Sequence, residues 1–346
     1  MGTVPRAVGH IIDETFEMMK LRHLFSNPAL AEMLVKNWEY DEPSLELFRY
    51  FRISANAIYP FKRDDEVHFL RICPTSERSK ENIIAELEFI HYLRNAQYNA
   101  LEPVASNNGD ELIQKKTPWG EYYACVFKRV KGNQLSETSF ENEIVFAYGA
   151  ALGQLHKLLS AYTTPRTRRW RHVDIFDWIE KTLHDLSVAA LPINELGLLR
   201  EHFSGLPMSQ GNYGLVHYDF EPDNVFYDNV SKTCSVIDFD DAMYHWYVMD
   251  IVQALDSLKN EIPENEFPQK QTAFIEGYRS VFEIDQKLYA SMPIFRRFAN
   301  LYRYTRDLRA IEEKWENEPE WLVELRTKLN ASLVNDSKLF GKTVTD

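Results

Sequence analysis

The stretch HYDFEPDN at residues 217–224 and the stretch VIDFDD at residues 236–241 carry the clearest pattern in this chain. They set three oxygen-bearing side chains at a fixed spacing, because Asn224 follows Asp219 by five residues and Asp238 follows Asn224 by fourteen. The β-forming residues between them flank a polar turn, which predicts a β-hairpin. We therefore expect the three side chains to converge at one end of a hairpin.

These residue types suit the transfer of a phosphoryl group from a nucleotide. The reaction needs a carboxylate that accepts a hydroxyl proton, and it needs oxygen ligands that hold Mg²⁺ on the phosphates. Asp219, Asn224 and Asp238 are residues of these types. The alternative is a solvated acidic loop in which Asp223 and Asn224 only shape a turn. The spacing favours the chemical interpretation.

Length and composition limit the class of protein. The chain has 346 residues and a mass of 40.6 kDa, with 45% hydrophobic and 26% charged residues, which is typical of a globular protein with two domains or lobes. Its formal net charge of −13 opposes binding to nucleic acids and to anionic membranes, so we expect neither as a partner.

The cysteines and the apolar segments indicate a compartment. Cys73, Cys125 and Cys234 are odd in number and have apolar neighbours, which predicts buried thiols in a reducing environment. The sequence shows no secretory signal pattern and no stretch of about 18 uncharged apolar residues. We expect a cytoplasmic protein.

N-terminal to the hairpin, the chain is mainly β-rich. Apolar residues at helical spacing predict a helical extension over residues 10–38, and residues 79–93 predict one amphipathic helix. Strands are predicted for SLELFRYF (44–51), NAIYPFKR (56–63), EVHFLRI (66–72), ALEPVAS (100–106), DELIQKK (110–116) and EYYACVFKRV (121–130). The first three of these segments are expected to form an antiparallel meander.

Beyond residue 132 the chain is mainly helical, with the β-rich island at 214–240 as an interruption. Helices are predicted for segments 142–160, 175–186, 193–203, 246–258, 272–282, 287–311 and 320–333. This shift predicts an N-terminal lobe of residues 1–131 and a C-terminal lobe of residues 132–346. The arginines at 166, 168, 169 and 171 lie in a connection rich in Thr and Pro, where we expect a solvated loop.

HYDFEPDN followed by VIDFDD resembles the catalytic and metal-binding loops of the aminoglycoside phosphotransferase and choline kinase superfamily. The resemblance covers roughly residues 44–310. It implies an α+β fold of the protein-kinase-like, bilobal type, with a small antiparallel β N-lobe and a larger, mainly α-helical C-lobe. It also implies that ATP binds between the lobes as co-substrate.

The resemblance also implies roles for single residues. Asp219 would be the catalytic base, and Asn224 and Asp238 would bind Mg²⁺. His217 would brace the loop, with a role as general base as the alternative. Tyr218 stands where protein kinases usually carry Arg, which favours a small-molecule kinase over a protein kinase.

The family places a cation on the third strand, where it binds the α- and β-phosphates and is held by a helix carboxylate. Arg71 occupies the strand position, where lysine is commoner, and its planar fork can still meet phosphate oxygens. Glu86 is the expected helix partner. The alternatives are an exposed strand charge for Arg71 and a solvated carboxylate for Glu86.

The remaining nucleotide contacts are expected from backbone groups. The turn at Ser54 and Asn56 would cover the phosphates, and the strand from Phe127 to Val130 would offer backbone groups to the adenine. An ordinary turn and an ordinary core strand are the alternatives. The chain contains neither a G-x-x-x-x-G-K-[ST] nor a G-x-G-x-x-G motif, so P-loop and Rossmann folds lose their main support.

Four residues near the proposed base are candidates for the acceptor site: Glu221, Asp240, Asp241 and Trp246. The acids would bind an ammonium group and the indole would stack on a cation or sugar, which favours an aminoglycoside, an amino sugar or an amino alcohol as acceptor. Ordinary surface acidity and core packing of the Trp are the alternatives. The superfamily also includes homoserine and methylthioribose kinases.

Two other classes of function stay open. One is a metal-dependent hydrolase that uses His217, Asp219, Asp238 and His245 as ligands, although more imidazole would be expected at such a site. The other is a kinase-like protein that binds nucleotide without catalysis.

Two further residues lie in segments that resemble family helices. His156, in LGQLHKL, is expected to be a packing histidine. Asp250, in YVMDI, resembles an aspartate that orients the catalytic loop, and a carboxylate at a helix N-terminus is the alternative.

Overall fold

The computed structural model describes residues 20–23, 25–54, 56–163 and 169–342. They form two compact units. The first consists of the described residues up to Arg78 together with Pro103–Lys128 and Ala310–Glu318, and the second consists of Ser79–Glu102, Arg129–Arg309 and the residues from Pro319 onward. The lobe boundary expected between residues 131 and 132 stays a prediction.

An antiparallel β-sheet forms the first unit. Its strands are β1 (Arg52–Ile53), β2 (Ala57–Arg63), β3 (Glu66–Pro74), β4 (Glu102–Val104), β5 (Ile113–Thr117) and β6 (Gly120–Lys128). They are ordered β1-β2-β3-β6-β4, and β5 also pairs with β6. In β3, Arg71 lies opposite Ile58 of β2 and Cys125 of β6.

One face of this sheet is covered by the helical segment that precedes it. Helix α1 (Pro28–Val35) is capped by Asn27, whose side chain accepts a hydrogen bond from the Leu30 N–H. Apolar residues of α1 pack with Trp38, with Phe48 and with alternate residues of the strands. Part of the expected helical extension, residues 10–19, lies outside the described residues.

The strand predicted at 44–51 is wrong. Residues Glu42–Tyr50 form a 3₁₀ helix, and only Arg52–Ile53 pair with β2. Pro43 fixes the backbone at the start of this helix. Ser44 and Phe48 are buried, but Glu46 between them is exposed, whereas a strand would place all three side chains on the same face.

The second unit is mainly helical, as expected. It contains α2 (Lys80–Asn95), α3 (Asn142–Leu159), α4 (His172–Asp185), α5 (Ala190–Ser204), α6 (Val248–Glu261), α7 (Phe267–Arg279), α8 (Gln286–Ala290), most of α9 (Met292–Ile311), and α10 (Glu320–Ser337). The single helix expected over 287–311 is two helices, because Pro293 is accommodated in the first turn of α9 and would disrupt a helix interior.

The predicted hairpin is confirmed, and it has short β neighbours that the sequence did not reveal. The strands of this unit are β7 (Asn133–Gln134), β8 (Tyr213–Val216), β9 (Val225–Asp228), β10 (Thr233–Val236) and β11 (Met243–Trp246). The hairpin is β9–β10, with β7 on the other side of β9, and β8 pairs with β11 in a separate ribbon.

Helices α3 and α7 cross at backbone contact. A methyl group on Gly149 would overlap the Phe274 carbonyl oxygen, and one on Gly277 would overlap the Phe146 carbonyl oxygen. A methyl group on Gly153 would lie 2.6 Å from the carbonyl oxygen of Tyr278. Glycine is required at these positions because no side chain fits between the two helices.

Two further findings concern the cysteines and the apolar character of the helices. The three cysteines are buried, as predicted. None of the helices in the described part of the chain combines the length and the apolar character that a bilayer span requires.

Candidate active site

The β8–β11 ribbon and the β9–β10 hairpin bring together the predicted catalytic loop (residues 217–224) and the predicted metal loop (residues 237–242). Strand β8 leads into the loop that carries Asp219, and Asn224 immediately precedes β9. Nδ2 of Asn224 donates to Oδ2 of Asp219 at 2.7 Å and to its backbone oxygen at 3.1 Å. Ile237, which precedes Asp238, donates its N–H to the Asn224 carbonyl at 3.0 Å. The first loop is therefore bonded directly to the start of the second.

Asp250 in the first turn of α6 organises the catalytic loop. Its Oδ2 accepts the backbone N–H of His217 at 2.8 Å, and its Oδ1 accepts that of Tyr218 at 2.7 Å. Tyr218 has φ of 70°, a left-handed conformation that a bulky residue rarely adopts and that costs on the order of 1–3 kcal/mol. The carboxylate, which is fully buried, stabilises this strained turn.

A buried histidine and a buried tyrosine hold Asp250 in place. Nε2 of His156 lies 3.0 Å from Oδ2 of Asp250, and its Nδ1 lies 2.8 Å from the Tyr278 hydroxyl. A neutral imidazole satisfies both contacts when Nε2 carries the proton and the tyrosine donates to Nδ1. The predicted packing histidine is thus a link between α3, α7 and the catalytic loop.

His217 bridges the two loops. Its Nε2 donates to the Ile237 carbonyl at 2.9 Å, and its Nδ1 accepts the N–H of Asp219 at 3.2 Å. Burial lowers the pKa of this histidine, which favours the neutral form that these contacts require. Both ring nitrogens are engaged, so the geometry fits the bracing role and leaves no nitrogen for proton abstraction or for the hydrolase metal site.

Negative charge is concentrated around Asp219. Burial raises the pKa of its carboxyl group well above the usual range, and the nearby carboxylates of Glu221, Asp223, Asp238 and Asp240 raise it further. Such crowding of carboxylates would be relieved by a cation. Asp238 itself has φ of 63°, so the metal loop turns sharply at this residue.

The oxygen donors fit Mg²⁺ better than a metal that needs a full protein cage. The Asn224 amide nitrogen faces Asp219, so the side-chain oxygen is the atom with which Asn224 would bind a metal ion. Across the described ranges, no group of three or more His, Cys, Asp or Glu side chains is arranged to hold a metal ion. Mg²⁺ commonly uses one or two carboxylates and completes its shell with phosphates and water.

The four candidates for the acceptor site differ in their surroundings. Glu221 and Asp240 are buried near Asp219. Asp241 forms an ion pair with Arg306 at 2.7 Å, so its charge is already compensated. The expectation for Trp246 needs correction, because its ring is fully buried among aromatic side chains and its Nε1 donates to the Pro207 carbonyl.

Arg71 and Glu86, the charged candidates for binding the nucleotide, are both buried. The Arg71 side chain is only 8% exposed, and its guanidinium lies 4.9 Å from the Phe127 ring centroid. Glu86 on α2 is 1% exposed. Arg71 is therefore not an exposed strand charge and Glu86 is not a solvated carboxylate. Their pairing stays a prediction.

The backbone candidates are placed as follows. The Ser54 N–H donates to the Asn56 carbonyl at 3.1 Å, which forms a tight turn before β2, and Ala55 between them lies outside the described residues. Strand β6 ends at Lys128, so Val130 follows the strand. Contacts of these residues with nucleotide stay predictions.

The prediction of a solvated loop is wrong for Arg169. This residue is 6% exposed, and its guanidinium donates to backbone carbonyls of the metal loop. Arg166 and Arg168 lie outside the described residues. The sequence offers no signal for the difference, because the partners of Arg169 are main-chain atoms about seventy positions away.

Comparison with known proteins gives concordant results. Residues 55–284 match the model of the phosphotransferase enzyme family. Amicoumacin kinase of Bacillus subtilis (strain 168) is 25% identical over 278 residues, which cover 75% of this chain and 80% of that protein.

Solved structures resemble most of the chain. Amicoumacin kinase hAmiN in complex with AMP-PNP, Ca²⁺ and Ami has a TM-score of 0.72 at 20% identity and covers 92% of this chain and 96% of its own. A microcompartment-associated aminopropanol kinase has a TM-score of 0.61 at 19% identity, with 90% and 96% covered. These likenesses confirm the expected α+β, kinase-like fold.

Proposed function

The chain belongs to the phosphotransferase enzyme family, and on that premise we propose that it transfers the γ-phosphate of ATP to a hydroxyl group of a small molecule that carries an amino group. Membership confirms the resemblance first visible in HYDFEPDN and VIDFDD. The residue roles, the use of Mg²⁺ and the class of acceptor are the proposal.

The observation that carries the proposal is the contact between Asn224 and Asp219 at 2.7 Å, inside a loop held by the buried Asp250. This contact fixes the orientation of the Asp219 carboxylate. The raised pKa of Asp219 increases its proton affinity, which suits a group that accepts a proton from an alcohol.

The proposed reaction assigns one task to each group. Asp219 accepts the proton of the acceptor hydroxyl while the hydroxyl oxygen of the acceptor bonds to the γ-phosphorus. The bond between the γ-phosphorus and the oxygen that bridges it to the β-phosphate breaks, which releases ADP. Asn224 and Asp238 would hold Mg²⁺. When bound, the ion offsets the charge of the phosphates.

The acceptor class follows from charge and from the relatives. Glu221 and Asp240 add buried negative charge beside Asp219, where an ammonium group would be attracted. Asp241 contributes less, since Arg306 already pairs with it. One similar structure is an aminopropanol kinase, whose named substrate carries an amino group and a hydroxyl group. An amino alcohol, an amino sugar or an aminoglycoside fits these observations.

The test is an ADP-release assay with Mg²⁺ and ATP over a panel of amino alcohols, amino sugars, aminoglycosides, choline, homoserine and methylthioribose. Asp219→Asn should lower kcat about 10²- to 10⁴-fold with the preferred acceptor and should still bind AMP-PNP. Asp177→Asn makes the same change on α4, where the side chain is exposed, and should leave kcat unchanged.

Two results would count against the proposal. Full activity of Asp219→Asn would show that another group accepts the proton. A wild-type protein that gives no turnover with any acceptor and no thermal stabilisation by Mg²⁺ with AMP-PNP would overturn the kinase function itself.

A further inference from the structure

Arg169 is placed to act on the active site without reaching the substrate. Its own segment is fixed, because the Tyr244 N–H of β11 donates to the Trp170 carbonyl at 2.7 Å. The Arg169 side chain is 6% exposed. An arginine this buried has given up most of its hydration, so its N–H groups need protein partners.

Arg169 donates hydrogen bonds to carbonyl oxygens of two elements. In the metal loop, Nε donates to Ala242 at 2.6 Å, and Nη2 donates to Asp240 and, at 3.5 Å, to Phe239. On α2, Nη1 donates to the carbonyl of Asn82 at 2.9 Å. One planar guanidinium therefore bridges the metal loop and the first turns of a helix.

The Asn82 carbonyl has a defined relation to Glu86. In an α-helix the carbonyl of residue i accepts the N–H of residue i+4, so Arg169 bonds to the carbonyl that also accepts from Glu86. An apolar contact runs beside this bridge, because the Phe89 and Phe239 rings meet edge to face at 5.3 Å. The metal loop and α2 thus share one polar and one aromatic contact.

We propose that Arg169 is a positioning residue that sets the metal loop and α2 in register, so that Asp238 and Glu86 are presented together for phosphoryl transfer. This inference rests on the proposed function of those two residues. Asp238 needs such support because it sits in a left-handed turn, and the carbonyls that follow it accept from the guanidinium.

Lysine cannot replace arginine in this role. An ammonium group donates from a single atom, whereas the guanidinium donates from three nitrogens in a fixed fork that spans the two elements. Arg169→Lys keeps the charge and most of the volume but breaks the bridge. Arg171→Lys is the matched control, since it makes the same change two residues away at a side chain that is 48% exposed.

The first measurement is hydrogen exchange of the intact protein. In Arg169→Lys, backbone amides in segments 238–243 and 80–86 should exchange at least about tenfold faster, while the β9–β10 hairpin and all of Arg171→Lys should match the wild type. Wild-type exchange in both segments, or a change in only one of them, would overturn the proposal.

The second measurement is the Mg²⁺ dependence of AMP-PNP binding, followed by thermal shift. Arg169→Lys should need about 10-fold more Mg²⁺ for half-maximal stabilisation, as found when an outer-shell partner of a metal ligand is lost. A lower melting temperature with an unchanged Mg²⁺ midpoint would mean that Arg169 supports the fold only, and would overturn the proposal. If the wild type transfers no phosphate, the proposed function fails, while hydrogen exchange still decides the role of Arg169.

Discussion

The β9–β10 hairpin of the second unit and the β2–β3 strands of the first unit hold their site residues in different ways. Around the hairpin, Asp219 and His217 are fixed by directed hydrogen bonds to Asn224, Asp250 and Ile237. Such contacts limit each side chain to one orientation and so to few chemical roles.

In the strands, placement comes from sheet register and packing. Arg71 lies opposite Ile58 and Cys125, and its guanidinium lies over the Phe127 ring. Register fixes the face on which a side chain lies but not the atom that it contacts. The hairpin assignments therefore rest on specific hydrogen bonds, whereas the strand assignment rests on position in the sheet. Substitutions can test each kind of support.

The largest expected effect is at the metal loop. Asp238→Asn would remove the proposed charged oxygen ligand of Mg²⁺. It should lower kcat/KM more than about 100-fold, beyond the loss typical of an outer-shell partner, and should raise the Mg²⁺ requirement. Steady-state kinetics over a Mg²⁺ series measures both. Asp228→Asn at the hairpin tip changes a residue that caps a turn through Val230 and Ser231, and should stay within about twofold of wild type in activity. If the activity of Asp238→Asn is within tenfold of the wild-type activity, Asp238 is not the Mg²⁺ ligand that we propose.

The next effect is at the carboxylate beneath the catalytic loop. Asp250→Asn replaces one acceptor oxygen with an amide NH₂ group. Either the Tyr218 N–H loses its acceptor Oδ1, or His156 and the His217 N–H both lose their acceptor Oδ2. We expect a loss of about 1–3 kcal/mol in the free energy of unfolding and a fall of about 10- to 100-fold in kcat.

Chemical denaturation and kinetics on the same preparations separate these two effects of Asp250→Asn. Asp256→Asn on the same helix, where the side chain pairs with Arg296 at the surface, is the control. Wild-type kcat in Asp250→Asn would show that the directed hydrogen bonds around the hairpin are dispensable for activity.

Local spacing predicted the parts of the molecule that depend on neighbours in sequence. The hairpin, helix α2, and the convergence of Asp219, Asn224 and Asp238 follow from alternation, helical period and turn residues within some twenty positions. The strand expected at 44–51 is wrong because Pro43 favours a helix start and because the burial of Ser44 and Phe48 with Glu46 exposed does not alternate as a strand would, despite the β-forming composition.

Contacts between distant segments could not be predicted. Asp241 meets Arg306 across 65 residues, and Arg169 meets carbonyls that have no sequence signature. Burial of Trp246 likewise depends on how α5 and α9 pack around β11. The sequence shows that these residues are close to the candidate site along the chain, but it does not show whether their side chains face the site.

The third effect concerns the crossing of helices α3 and α7, which carry His156 and Tyr278. Gly149→Ala puts a methyl group into the Phe274 carbonyl, so α3 and α7 must separate, and we expect about 1–3 kcal/mol lower free energy of unfolding by chemical denaturation. Gly197→Ala on α5 meets no atom within 4 Å and should stabilise by about 0.4–1 kcal/mol. If both variants change the free energy of unfolding equally, then the helix crossing does not hold His156 against Tyr278 as tightly as their hydrogen bond indicates.

The smallest effect tests the strands. Arg71→Lys keeps the charge but replaces the planar fork, which can meet two phosphate oxygens, with a single ammonium group. A loss of about 1 kcal/mol in phosphate binding would raise the KM for ATP about fivefold at nearly unchanged kcat. Arg63→Lys, on β2 and paired with Glu39 at the surface, should change neither constant. If Arg71→Lys lowers stability and leaves the KM for ATP at the wild-type value, then Arg71 only packs against the sheet, and register alone is not sufficient evidence for a phosphate-binding role.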